Sequence, residues 1–160
     1  MINSEELMEE VSAIQDGVAN LDVVEKVLKI KQYFEDTPIG DWQMDRVTDY
    51  MLVLCNLMYN LSDLKDYAYI KAEALSEEYK ANIREKYLAL KNGTEKVTDS
   101  MAKAMAEEQC DDIKRQELKA SYQARQLKSL YDDSERLINY SQTKVRSLSE
   151  GVIRSKFERK

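Results

Sequence analysis

KYLALKNGTEKVTDSMAKAMA, residues 86–106, interrupts a chain that is otherwise rich in helix formers. A charged helical run ends at Lys91-Asn92-Gly93. A short polar stretch follows, and helical periodicity resumes at Met101. Gly93 is the only glycine between Gly40 and Gly151. Glycine accepts the left-handed conformation that closes many helices, so it marks the end of the first run. The spacing predicts a turn at 92–98 and then a short helix capped by Thr98 or Asp99, carrying Met101, Met105 and Ala106.

Upstream of the turn, Val47, Tyr50, Leu54, Leu57, Leu61, Leu64 and Ala68 follow alternating steps of three and four, which is the spacing of a coiled-coil seam. Ala72, Leu75, Tyr79, Ile83, Lys86 and Leu90 continue it with a shift in phase. With Asp41 as its cap, a helix from there to Lys91 would be about 75 Å long. Downstream, Asp111-Asp112 reads as the cap of a last helix running to about residue 150. Its seam is Ile113, Ala120, Ala124, Leu127, Tyr131, Ser134, Ile138, Ser141, Val145 and Leu148. Several of these are small, which permits a close partner helix. The fold class expected is all-α: a long antiparallel helical hairpin, or coiled coil, with short N-terminal helices.

The remaining segments divide accordingly. Residues 1–40 form an acidic N-terminal helical region. Asn3 or Ser4 caps its first helix and Asn20 its second, in which Val23, Val24, Val27, Leu28 and Ile30 are the apolar side. Thr37-Pro38-Ile39-Gly40 breaks that helix, because proline lacks an amide donor and restricts the residue before it. Residues 41–150 form the hairpin. Residues 151–160 form a basic C-terminal tail after Gly151, expected to fray. A two-helix hairpin cannot by itself bury Tyr, Leu and Met on several faces, so a homo-oligomer is expected.

Composition narrows the chemistry. The 160 residues contain no histidine, which removes the commonest general base and the usual zinc ligand. Cys55 and Cys110 form no CxxC and read as small buried thiols in a reducing compartment. No nucleotide-binding or nucleophile-elbow motif is present. No enzyme, metal or cofactor is therefore expected. The acidic start is no signal peptide, and the longest apolar run is too short for a membrane span. A cytoplasmic protein is expected, in the host cell if phage-encoded.

The net charge of −6 conceals a gradient. Residues 1–50 carry 12 acids and 4 bases, whereas residues 101–160 carry 10 acids and 13 bases. Such asymmetry can steer a polyanion or pair neighbouring subunits, and it is equally the solvated surface of charged helices. Tyr67, Tyr69, Tyr79 and Tyr87 lie near Lys71, Lys80, Arg84 and Lys86. Tyrosine faces stack bases and cations hold phosphates, although tyrosines also fill helix interfaces. The candidate nucleic-acid-binding residues are Lys80, Arg84, Lys86, Lys91, Arg115 and Lys119. The further bases Lys114, Arg125, Lys128, Arg136, Lys144 and Arg146 spread along the last helix.

The runs DLKDYAYIKAEALSEEYKANIREKYLALKNG, KVTDSMAKAMAEEQCDD and LKASYQARQLKSLYDDSERLINYSQTKVRSL occur in that order. A charged helix, a turn, a short VT-x-x-x-A-x-A helix and a long helix resemble phage recombination mediator proteins of the UvsY type, over roughly residues 60–150. The resemblance implies an oligomer that binds single-stranded DNA. It also implies a phage recombinase and a single-strand-binding protein as partners, the mediator helping the first replace the second. The family's Lys-x-Arg pair before the turn has its nearest equivalent in Arg84-Glu85-Lys86, in reversed order.

Two other readings fit the residues. One is a small acidic helical inhibitor or adaptor, phage anti-defence proteins among them, that presents Glu5, Glu6, Glu9 and Glu10 to a nucleic-acid enzyme. The other is a structural coiled-coil scaffold.

Overall fold

The computed structural model describes residues 21–93 and 97–157, with residues 21 and 151–157 as backbone only. The fold is all-α. Helix α1 spans Leu21–Asp36 and a 3-10 turn spans Ile39–Asp41. The long α2 spans Met44–Lys91, α3 spans Asp99–Gln109 and α4 spans Asp111–Phe157. The long helices α2 and α4 pack together as a hairpin. The expected helix capped at Asn3 or Ser4, the Asn20 cap and the acidic set Glu5, Glu6, Glu9 and Glu10 lie outside the described residues. Among the described residues no helix is long and apolar enough to cross a membrane.

The chain forms two compact units, Met1–Leu64 with Leu127–Lys160, and Lys65–Gln126. The first has an aliphatic core. Val23, Val24, Val27, Ile30 and Phe34 of α1 are buried with Val47, Met51, Leu54, Leu61 and Leu64 of α2 and Leu127 and Leu130 of α4. Ser134 is also buried, and its hydroxyl donates to the Leu130 carbonyl at 2.7 Å, so it needs no tertiary partner. Beside this core lies an aromatic cluster. Phe34 meets Trp42 edge-on at 5.3 Å between centroids, Tyr33 meets Tyr50 at 4.7 Å, and the Arg46 guanidinium sits 4.9 Å from the Tyr33 ring.

The second unit is built differently. Its buried residues are Ala68 and Ala72 of α2, Ala102 and Ala106 of α3, Cys110, and Ala120, Gln123 and Ala124 of α4. A fully buried leucine contributes about 1.5–3 kcal/mol and one methyl only about 0.8 kcal/mol. Small side chains give close helix approach instead of large buried area. Leu75, Tyr79, Ile83 and Leu90, expected in the seam, are only half-buried, and Lys86 is exposed.

Several local expectations are corrected. Asp41 does not cap α2. It belongs to the 3-10 turn, its amide donating to the Pro38 carbonyl at 2.9 Å. The Trp42 indole N–H then bonds the Thr37 carbonyl at 3.0 Å, and the first carbonyl of α2 to be engaged is that of Gln43. Thr98 does cap α3, accepting from the Met101 amide at 3.3 Å. Cys110 both ends α3 and starts α4: its amide donates to Glu107, and its carbonyl accepts from Lys114. It is nearly fully buried, whereas Cys55 is only half-buried. Gly151 does not stop α4, which continues to Phe157, because one mid-helix glycine costs only about 0.5–1 kcal/mol against alanine.

Gly93 closes α2 without the left-handed conformation expected of it. Its φ lies outside the left-handed region, and a Cβ there would meet the Ala89 and Leu90 carbonyl oxygens at an ordinary 3.5 Å. The helix ends instead on a bond from the Asn92 amide to the Leu88 carbonyl at 2.9 Å. Gly93→Ala is therefore predicted to be tolerated, and to raise stability by about 0.4–1 kcal/mol by restricting the unfolded chain. Thermal melts of the two proteins check this. A clear loss of stability would mean that the glycine is required by its backbone geometry.

Candidate nucleic-acid interface

All six cations singled out from the sequence fall in the Lys65–Gln126 unit. Three are tied to carboxylates. Lys80 lies 2.7 Å from Glu77 one turn back, and Arg115 lies 2.6 Å from Asp111. Lys91 lies 2.6 Å from Asp99, across the turn between α2 and α3. That last pair is a clasp. The Lys91 ammonium also reaches the Val97 carbonyl, and the Tyr87 hydroxyl reaches Asp99. The hydrogen bond from Lys91 holds the Asp99 carboxyl below its ordinary range, and the same bond raises the Lys91 ammonium. Lys80 is likewise raised by its bond to Glu77.

Arg84, Lys86 and Lys119 are exposed and make no ion pair among the described residues. They are the cations of the set left open to an external anion. Arg84 and Lys86 do not act side by side, however. Two residues apart on a helix, they point about 160° away from each other. Lys80, Arg84 and Lys91 share one side of α2 by their spacing, and Lys86 lies off it.

The tyrosines divide in the same way. Tyr79 is half-buried, with the Lys114 ammonium 4.7 Å from its ring centroid, and Lys114 is in turn bonded to Glu117. Tyr87 is engaged in the clasp. Tyr67 and Tyr69 are exposed.

The structure adds one residue that sequence reasoning passed over. Tyr122 of α4 is 44 % exposed. Lys119 lies one turn before it and Arg125 one turn after, so all three share a stretch of helix surface. Arg125 is exposed, with its Nε–H held by the Ser121 carbonyl at 3.2 Å. That bond orients the guanidinium without neutralising it. The signal was present in the sequence: residues 118–131, LKASYQARQLKSLY, contain no acid.

The arrangement offers an exposed aromatic face between two cations. That suits a base and its flanking phosphates. Compared with known proteins, the chain matches no family model, no curated protein and no solved structure.

Proposed function

We propose that this chain is an oligomeric protein of the recombination-mediator type that binds single-stranded DNA and assists the loading of a recombinase in place of a single-strand-binding protein. The observation that carries the reading is Tyr122, exposed between Lys119 and Arg125 in the acid-free stretch 118–131 of α4. Arg84 and Lys86 supply further phosphate contacts. Lys80, Lys91 and Arg115 contribute less, since a carboxylate already holds each. Exposed Leu52 and Tyr59 in one unit, and Tyr67, Ile70 and Leu88 in the other, lie on the side of α2 away from its buried seam. They favour self-association.

Binding of a labelled oligonucleotide, followed by anisotropy over a salt series, tests the reading. Wild type should bind at low salt and weaken steeply as added salt removes the gain from counterion release. Combined Lys119→Ala and Arg125→Ala should flatten the log–log slope by about 0.7 for each phosphate no longer neutralised. Absence of wild-type binding at low salt would sink the nucleic-acid reading. An oligomer by light scattering that binds no DNA would favour the structural scaffold, which the exposed apolar side of α2 also suits.

A further inference from the structure

A cleft of about 410 Å³ opens in the first unit between α1 and α4. Phe34 and Leu137 are its apolar lining, and Tyr140 stands on its wall. Tyr140 is 44 % exposed. Trp42 meets it edge-on at 6.3 Å with an interplanar angle of 89°. The ring thus has a fixed aromatic neighbour while the residue stays partly open to solvent.

The charges around it are sorted. Asp133 is taken by Lys31 at 2.7 Å. Arg136 approaches the same carboxylate only at 4.0 Å, and its side chain is 81 % exposed. Lys144, one turn beyond Tyr140, sits 5.5 Å from the ring centroid. Glu35, the remaining acid on the cleft, is only loosely associated with Lys31 at 4.0 Å and lies at the solvent edge. From Arg136 to Ser149 the sequence contains no acid at all.

We propose that this cleft is a second nucleotide-binding site, which takes one base of a single strand against Tyr140, with its phosphates on Arg136 and Lys144. The aromatic ring and the apolar lining of Phe34 and Leu137 suit a base. The two cations, one turn before and one turn after the tyrosine, suit the phosphates on either side. The site shares with the proposed function the premise that the ligand is a single strand. It uses none of the residues of the Lys65–Gln126 unit.

Trp42 is the only tryptophan in the chain, so its fluorescence reports on this cleft. The experiment titrates a short labelled oligo-deoxycytidine into the full chain, following Trp42 emission and label anisotropy together. In wild type the emission should change saturably, with the same midpoint as the anisotropy. Tyr140→Leu should weaken binding roughly five- to hundredfold, the worth of one stacked base. Tyr140→Phe, which keeps the ring, should restore it. Arg136→Gln should flatten the salt dependence without changing the circular dichroism spectrum.

Binding that leaves Trp42 silent and is indifferent to Tyr140→Leu overturns the site, while leaving the Tyr122 reading standing. Weaker binding in Tyr140→Leu, with none of that effect in the Lys119→Ala, Arg125→Ala variant, supports this site and removes the other. No binding by wild type at low salt overturns both.

Discussion

Leu54→Ala is expected to lower the unfolding free energy by about 2–5 kcal/mol. Leu54 is 1 % exposed in the aliphatic core of the first unit, where Leu61, Leu127 and Leu130 are also fully buried. Truncation removes the transfer free energy of the deleted methyl groups. It also leaves a cavity that rigid helix backbones cannot close completely. Urea unfolding followed by circular dichroism checks this: the midpoint should fall while the dependence on denaturant stays the same. A destabilisation below about 1 kcal/mol would show that the site collapses around the gap, or that the leucine is not in a packed core.

Ala106→Leu is the converse case. Ala106 is 0 % exposed in a unit whose buried set is alanine, one cysteine and one glutamine. Added methylenes must displace the neighbours that bury this site, so overpacking should cost about 1–3 kcal/mol. The damage should be local to α3 and the helix surfaces it packs on. Amide hydrogen exchange would show it as faster exchange in residues 99–109, with little change at Val24, Val27 or Leu54. Unaltered exchange in α3, with unaltered stability, would mean that the alanine contacts are loose. The same comparison in the unsubstituted protein should find lower protection in the alanine-cored unit, because it buries less apolar area for each residue ordered.

These two substitutions mark where sequence reasoning carried and where it stopped. The steps of three and four identified Val47, Leu54, Leu61, Leu64, Ala68 and Ala72 on α2, and Ala120, Ala124, Leu127, Ser134 and Ser141 on α4, all of which are buried. Periodicity reports which residues share a helix face. It does not report how far round the helix the partner reaches. Met51 and Leu130 are buried outside the seam the spacing marked, and Lys86 is exposed although the spacing placed it there. The pairing of Trp42 with Tyr140 has no local signal at all, since nearly a hundred positions separate them.

The candidate sites follow the same division. The ties of Lys80 to Glu77 and Arg115 to Asp111 are one-turn pairs and can be read from spacing. That Lys91 is occupied by Asp99 depends on how the turn returns, and that Tyr79 lies under Lys114 depends on α4 meeting α2. The acid-free run around Tyr122 was visible as composition, but its exposure was not.

By itself the sequence determined the helices of the described residues, their breaks at Pro38 and after Lys91, and the faces that seek burial. Propensity, capping and periodicity act over one or two turns of chain. Tertiary structure alone decided that one unit has a leucine core and the other an alanine core, which tyrosines remain open, and which cations keep their charge free. Those outcomes depend on which faces meet, and that is settled by contacts between residues far apart in the chain.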